Sequence, residues 1–432
     1  MRPAPLLLAL LVGWAVLGLP VAFGRWPQVA WYGAGAAIAL LALVDLLRLW
    51  RQPSPSIQRE LPEALALNVE RQATLRVESS LRQRVELFDL VPGEWALQGL
   101  PRTLTLKPMV ASSVQYTLTP TARGRFAFDG VHLRVHAPWR LWRQRRLLPP
   151  ALTVRVYPNF APLTRFALFS AEQASRLVGA HLKRRRGEGT DFHQMREYRV
   201  GDSLRQIDWK ATSRARKLIS REYQDEKNQQ LLLLIDTGRR MMASEGGLSH
   251  FDHVLNASLV VSYLAQRQGD GVGLFASGGD SRWVAPQRGM GAIDALLRAS
   301  YDLQARPVAT DYLAAATELS LRQRRRSLVM LVTNVRDEDI EDLLAAVRLL
   351  QRQHLVCVAS LRERELDTAL EQPVETLQDA TQAGAIARYL QQRNEAHEAL
   401  RSHRVMVLDV TADALPGALV ERYLAVKRDG LL

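Results

Sequence analysis

The chain has 432 residues, room for two to four domains at roughly 100–200 residues each. Hydrophobic residues at 47% and charged residues at 23% exclude a wholly disordered or fibrous chain. A single cysteine, Cys357, excludes a disulfide framework and a thiolate zinc cluster, and fits a reducing compartment. Lys and Arg number 57 against 44 Asp and Glu, a net charge of +13 that points to an anionic partner such as a membrane surface or nucleic acid.

The charge is unevenly placed. Residues 51–160 hold 16 basic and 8 acidic side chains, and residues 161–227 hold 15 and 9. Residues 228–432 hold 23 and 26, so the second half is slightly acidic.

At the amino terminus, Leu6 to Phe23 is an unbroken apolar run, and a second run follows Gly24-Arg25 from Trp26 to about Leu47. Each is near the length needed to cross ~30 Å of hydrocarbon as a helix. The expected unit is a transmembrane helical hairpin within residues 1–52, helices at about 6–23 and 26–47. Trp26, Trp31, Tyr32 and Trp50 would sit in interfacial aromatic belts. A cleaved signal followed by one anchor, or two buried soluble helices, are the alternatives. Arg48, Arg51 and Arg59 follow the second run against the lone Arg25 in the connection. The positive-inside rule then places both ends, and the rest of the chain, in the cytoplasm.

Pro53-Ser54-Pro55-Ser56 reads as a linker. Within 53–160 the pattern changes to short alternating stretches such as Ala73–Glu78, Thr103–Leu106 and Val114–Leu118, divided by Pro92-Gly93 and Asp129-Gly130. About seven such strands in ~100 residues predict a small β-sandwich. Nothing in it resembles a catalytic cluster.

Residues 161–227 begin with a helical pattern over 161–180 and continue into the densest polar stretch of the chain, His181 to Glu226. Its arginines, carboxylates and aromatics alternate too closely for an amphipathic helix. They predict a polar network of bidentate arginine–carboxylate pairs that docks this segment onto the next domain. Lys183-Arg184-Arg185-Arg186 alone reads as a solvated or lipid-facing patch, because the acids that follow dilute it as a nucleic-acid groove.

Over 228–432 the pattern is αβ. Leu231–Ile235, Gly271–Phe275, Ser327–Thr333, Leu355–Ser360 and Val405–Leu408 read as strands. Helices are expected at Phe251–Gln266, Ala292–Tyr301, Tyr312–Leu321, Ile340–Leu350, Arg388–Leu400 and Leu415–Val426. Strands alternating with helices predict a doubly wound, Rossmann-like parallel sheet. Ligands of such sheets lie at the carboxyl ends of the strands, where Asp236 and Thr333-Asn334 would stand. There is no G-x-x-x-x-G-K-[ST], so no P-loop is present in the sequence.

The run Gly187-x-Gly189-x-x-Phe192-x-x-x-Arg196-Glu197-Tyr198-x-x-Gly201-Asp202-x-x-Arg205-x-Ile207-Asp208-Trp209-x-x-x-x-Arg214 resembles the signature of a bacterial family of unknown function, number 58 in the DUF series. Arg123-Gly124-Arg125-Phe126 and Ala137-Pro138-Trp139 also resemble landmarks of that family, with Ala137 where an Asp is usual. The resemblance implies that the last domain is von Willebrand factor A-like. It also implies association with MoxR-type AAA+ ATPases and no established enzymatic activity.

Many von Willebrand factor A domains bind Mg²⁺ through Asp-x-Ser-x-Ser, a distant Thr and a distant Asp, a set of hard oxygen donors. Here Asp236 is kept, Gly238 and Arg240 take the two serine positions, Thr310 matches the distant Thr, and Asn334 stands for the last Asp. The expectation is a degenerate site with no Mg²⁺ and no other cofactor, in which Arg239 or Arg240 pairs with Asp236 in place of the cation.

The expected function is that of a membrane-anchored, non-enzymatic interaction protein or adaptor. Its partners would be the lipid bilayer, an anionic lipid surface and a MoxR-type ATPase, with assembly or quality control of protein complexes as its role. The alternatives are a metal-dependent hydrolase using Asp202, Asp208 or Asp236, and a nucleic-acid binder.

Overall fold

Eighteen residues with Pro5 at the first helical position make α1, Pro5–Ala22, and a longer apolar run makes α2, Gln28–Arg51. Proline suits that place because its fixed φ is pre-set for the helix and its missing N–H has no partner there anyway. In this computed structural model, residues 1–23, 26–93, 95–149, 151–160, 191–199, 204–224, 229–289 and 291–432 are described. They fall into two units, Met1–Tyr157 and Pro158–Leu432.

Both helices are long and apolar enough to cross a membrane, with mean hydropathies of 2.2 and 1.8. Leu8, Val12, Val16, Leu19, Val29, Leu40 and Leu43 are exposed along them, the surface expected of helices whose solvent is lipid. The helices meet through two tryptophans. Trp14 and Trp31 stack at 4.5 Å, and each indole donates to the other's backbone carbonyl, at 3.1 and 3.0 Å. Gly18 and Gly35 make room for the rings: a Cβ on Gly35 would lie 2.7 Å from Trp14. Trp31 is thus committed to the helix contact rather than to the interfacial belt expected of it. The expected break at Gly24-Arg25 lies outside the described residues.

The rest of the first unit is β-rich. Its strands are β1 Arg2–Pro3, β2 Ser56–Glu60, β3 Ala64–Ala66, β4 Arg71–Glu78, β5 Gln83–Asp89, β6 Ala96–Gln98, β7 Arg102–Leu106, β8 Ser112–Thr119, β9 Gly124–Phe128, β10 Val131–His136, β11 Trp142–Leu148 and β12 Leu152–Tyr157. They form sheets in the orders β1-β11-β10-β5-β7, β2-β4-β8-β6 and β3-β12-β9. Eleven short strands therefore follow the linker where about seven were expected. Three-residue pieces such as β3 and β6 are too short to show an alternation of their own.

Period-two burial is clear in the longer strands: Ala73, Leu75 and Val77 of β4, and Val131, Leu133 and Val135 of β10, face the core. A buried ion pair links two of the sheets. Arg59 of β2 donates to Asp89 of β5 at 2.5 and 3.0 Å, and the Tyr116 hydroxyl of β8 donates to the same carboxylate. Burial, with Asp89 beside it, drives the Tyr116 pKa far above the ordinary value of 10.

The helical pair and the sheets are joined by a charged residue inside an apolar helix. Asp45 of α2 is fully buried and accepts from the backbone N–H groups of Trp139 (2.9 Å) and Leu141 (3.0 Å). Nearby, Trp142 Nε1 donates to Ala42 O and Arg146 to Leu49 O.

The second unit opens with β13 Asp191–Glu197 and β14 Ile219–Gln224, an antiparallel pair enclosing the short helix α3 Trp209–Ala215. Its main sheet holds β15 Gln230–Asp236, β18 Gly271–Ser277, β19 Arg282–Gln287, β20 Leu328–Thr333, β21 Leu355–Arg362 and β22 Met406–Thr411, in the order β19-β18-β15-β20-β21-β22. A two-stranded ribbon, β16 Ser244–Glu245 with β17 Leu248–Ser249, follows β15. The sheet is mainly parallel. Edge strand β19 runs antiparallel to β18, against the all-parallel expectation, and Pro286 is tolerated there because an edge strand leaves one side unpaired.

Helices cover both faces. Leu231, Leu233 and Ile235 pack with α4 His250–Arg267, α5 Gly291–Ser300 and α10 Leu415–Arg428. Leu232 and Leu234 pack with α6 Tyr312–Arg322, α7 Ile340–Gln351 and α9 Leu377–Ser402. An additional helix, α8 Arg364–Glu371, follows β21. α9 begins at Leu377, well before the expected Arg388, because Thr376 and Asp379 form a capping box.

Candidate functional site at the strand ends

The chain enters the sheet at its middle strand β15, adds β18 and β19 on one side, and then adds β20, β21 and β22 on the other. The reversal opens a switch point at the carboxyl ends of β15 and β20, the usual ligand position in such sheets. Asp236 ends β15 there, 3% exposed.

Both oxygens of its carboxylate are occupied. Oδ1 accepts from the Gly238 N–H (2.7 Å) and the Thr310 hydroxyl (2.5 Å). Oδ2 accepts from the hydroxyls of Thr333 (2.6 Å) and Tyr312 (3.1 Å). Four donors match the roughly four lone-pair sites of a carboxylate. Burial and the Asp236 charge hold the Tyr312 pKa well above its ordinary value, so this phenol stays a donor. The recess over the carboxylate measures ≈10 Å³, about one water position.

Glycine makes this closure possible. A Cβ on Gly238 would lie 2.2 Å from Thr310 Oγ1 and 2.9 Å from Val308 O. Gly278, at φ +122°, leaves room for the same hydroxyl. Thr310 fills the space that a serine at 238 would need. Asp236 and Thr310 therefore meet as expected, but as a hydrogen-bonded pair. A dication would find the carboxylate already saturated and would have to displace these donors, so the residues present do not fit Mg²⁺.

The expected pairing of Arg239 or Arg240 with Asp236 is overturned. Arg240 turns instead to the acids after β20, with Nε on Asp339 (2.6 Å) and Nη2 on Glu338 (2.9 Å), and Arg239 lies 3.6 Å from Glu338. Burial opposes the charge on Arg240, but the two carboxylates outweigh it and hold its pKa high. Four neutral or backbone donors already satisfy Asp236, so a guanidinium gains more from acids that have none.

Asn334 faces away from Asp236. Its Nδ2 donates to Glu363 (2.8 Å) and its Oδ1 accepts from Arg393 (2.7 Å). Arg393, 1% exposed on α9, also donates to Asp409 (2.9 Å), Ser360 (2.5 Å) and the carbonyls of Val335 and Leu361. This buried guanidinium ties the ends of β20, β21 and β22 together. Sequence reasoning missed it, although an arginine inside an otherwise modestly apolar helix face was a readable signal.

In the signature segment, Asp208 caps α3 by accepting from the Ala211 N–H (2.9 Å) and pairs with Arg221 through two bonds at 2.9 and 2.7 Å. The first of these contacts and then the second hold its carboxyl below the usual 3.8. Glu197 pairs with Lys217 at 2.7 Å, and Arg196 donates to the Glu197 carbonyl at 3.1 Å. The carboxylates thus take partners from β14 and the turn before it. The Tyr198 N–H bonds the Leu218 carbonyl, continuing the strand pairing. Trp209 is 68% exposed and Leu204 70%, and Arg214 is exposed on α3. Gly187, Gly189, Gly201 and Asp202 lie outside the described residues, as do the side chains of Phe192 and Arg205. Among the described residues, no group of three or more His, Cys, Asp or Glu side chains is placed to hold a metal.

An α/β unit with a mainly parallel sheet, joined in sequence to a β-rich unit and two apolar helices, defines the class. Residues 194–405 match the model of the family "Protein of unknown function DUF58", and over that stretch the chain belongs to it. Gly187, Gly189 and Phe192 of the motif precede the matched residues. No curated protein matches the chain. Among solved structures, it is similar to an aerotolerance-related membrane protein from Bacteroides fragilis, at 15% identity over 46% of this chain and 100% of that one, with a TM-score of 0.28. It is also similar to proximal thread matrix protein 1 of the mussel byssus, at 9% identity over 46% and 47%, TM-score 0.27. The PapD-like domain 7 of human CEP192 is similar at 14% identity over 24% and 88%, TM-score 0.17.

Proposed function

We propose that this chain is a membrane-anchored, non-enzymatic adaptor that works with a MoxR-type AAA+ ATPase in assembly or quality control of protein complexes. In this reading α1 and α2 span a bacterial inner membrane, with both ends and the soluble units in the cytoplasm. The β-rich region is a sandwich that acts as spacer, and the α/β region is a von Willebrand factor A-like module that presents the partner surface.

The observation that carries the reading is the contrast within the second unit. The carboxylates a hydrolase would employ, Asp208 and Asp236, are tied to a cap, a guanidinium and hydroxyl donors. The signature segment meanwhile presents Trp209, Leu204 and Leu218 to solvent. Large apolar side chains held outward on a folded segment are the usual anchors of protein interfaces.

Affinity capture of the full chain from detergent-solubilised membranes tests this. A MoxR-type ATPase is expected in the eluate of the wild-type chain and about tenfold depleted with Trp209→Ala, at unchanged Tm, as for loss of one aromatic anchor. Absence of any such ATPase from the wild-type eluate would sink the proposal.

A further inference from the structure

The outer face of the sheet β1-β11-β10-β5 carries cations set directly against cations. The register places Arg2 opposite Arg143, Arg143 opposite His136, and Arg145 opposite Arg134. Directly opposed side chains stand ~5 Å apart, and like charges there are destabilising. Glu86, opposite Arg134, answers that one residue at 2.5 Å. Among the described residues, Arg2, Arg143 and Arg145 have no carboxylate partner. Burial lowers the His136 pKa, and Arg84, Arg134 and Arg143 add to the effect against Glu86.

These arginines surround a hollow. A recess of ≈210 Å³ is lined by Met1, Arg2, Arg134, Arg143 and Arg145. A second, of ≈250 Å³, shares Arg134 and Arg145 with it. Arg2 lies just before Pro5, where α1 begins, and Ala4 N–H bonds Leu141 O at 2.8 Å. Arg146, on the same strand as Arg143 and Arg145, bonds Leu49 O near the end of α2. The recess therefore opens level with the ends of both apolar helices.

We propose that this recess is a binding site for the phosphate headgroup of an anionic membrane lipid, held by Arg2, Arg143 and Arg145 with Arg134 at its rim. The site rests on the membrane-anchored reading above. Guanidinium forks match phosphate oxygens geometrically, and a bound anion removes the cross-strand repulsion that the bare face retains. The position at the helix ends selects a lipid of the adjoining leaflet over a soluble phosphate. Such a contact would set the depth and tilt of the β-rich unit on the membrane surface.

The test uses the full chain, purified in detergent and delipidated, with phosphatidylglycerol, phosphatidylcholine or soluble glycerol phosphate added, and lipid retention read by native mass spectrometry. Phosphatidylglycerol should be retained about tenfold or more over phosphatidylcholine. Arg143→Gln with Arg145→Gln should abolish the preference. Arg143→Lys with Arg145→Lys should keep part of it, and Arg71→Gln with Arg125→Gln, which removes equal charge elsewhere, should leave it intact. Equal retention of both lipids by the wild-type chain, or equal losses in the two Gln pairs, would overturn the site. Displacement of the lipid by equimolar glycerol phosphate would overturn its assignment to a lipid. Carbonate washing of the membranes separates the two readings. Release of the chain overturns the anchor and the site together, whereas retention without lipid preference overturns the site alone.

Discussion

Asp236 is held by four donors at the end of β15, and their contributions can be measured one at a time. The geometry predicts that Gly238→Ala lowers stability by about 1–3 kcal/mol, because the new Cβ meets the Val308 carbonyl as well as Thr310. Thr310→Val should cost about 1–2 kcal/mol by leaving one carboxylate oxygen short of a donor. Thermal or chemical unfolding of the purified chain measures both. Calorimetric titration of the wild-type chain with Mg²⁺ should give no heat of binding, and micromolar affinity abolished by Asp236→Ala would contradict the closed geometry. Thr310 was reached only through the family resemblance, whereas Asp236, 74 residues earlier, was legible in the sequence because it ends an apolar strand run. The partners of Arg240 were not, since Glu338 and Asp339 lie nearly a hundred residues away and are brought close by the β15–β20 pairing.

At the level of elements, the parallel strands and their covering helices were readable because each shows its own period. β15 is apolar at every position from Leu231 to Ile235, and the structure buries it on both faces. Elements whose stability comes from elsewhere were not readable: β19 depends on β18, and the first half of α9 on its capping box. The two crossings that hold elements together are also the sharpest targets. Arg393→Met should destabilise the second unit by about 3 kcal/mol, because Asn334 would be left buried without its donor and the half-buried Asp409 would keep the more distant Arg362. Denaturant titration followed by far-UV circular dichroism would register that loss. In the helical pair, Gly35→Leu should force Trp14 and Trp31 apart, since even a Cβ reaches within 2.7 Å of the indole. Tryptophan emission of the full chain in detergent should then lose the signature of the stacked pair, and unchanged emission would argue against the crossing.

On the scale of the molecule, the charge is not one property but several. Arginines of the first unit include Arg59, spent on Asp89, Arg146, spent on Leu49 O, and Arg2, Arg143 and Arg145, set against like charge on the outer sheet face. The join between the apolar helices and the β-rich sheets rests on Asp45, and Asp45→Ala should loosen it by about 3 kcal/mol, as expected for two lost backbone bonds to a charge. Limited proteolysis in detergent would show new cleavage between residues 51 and 57, and an unaltered digestion pattern would refute the coupling. The sequence shows this aspartate near the end of the second apolar run. It could not supply its partners, which are backbone groups of a turn 94 residues further on.

That separation has a consequence for biosynthesis. Chains are made at about 5–20 residues per second, so α2 waits on the order of 5–20 s before Trp139 and Leu141 exist. In the membrane-anchored reading, Asp45 throughout that interval belongs to a helix entering the bilayer without the two N–H groups that later receive it. Integration of the hairpin must therefore tolerate an unsatisfied acid, and its final seating must come after translation of the turn. On that reading, arrested nascent chains ending before residue 139 should hold α2 less firmly than chains ending beyond β12, so the seating of this helix would be completed by a turn of the β-rich part.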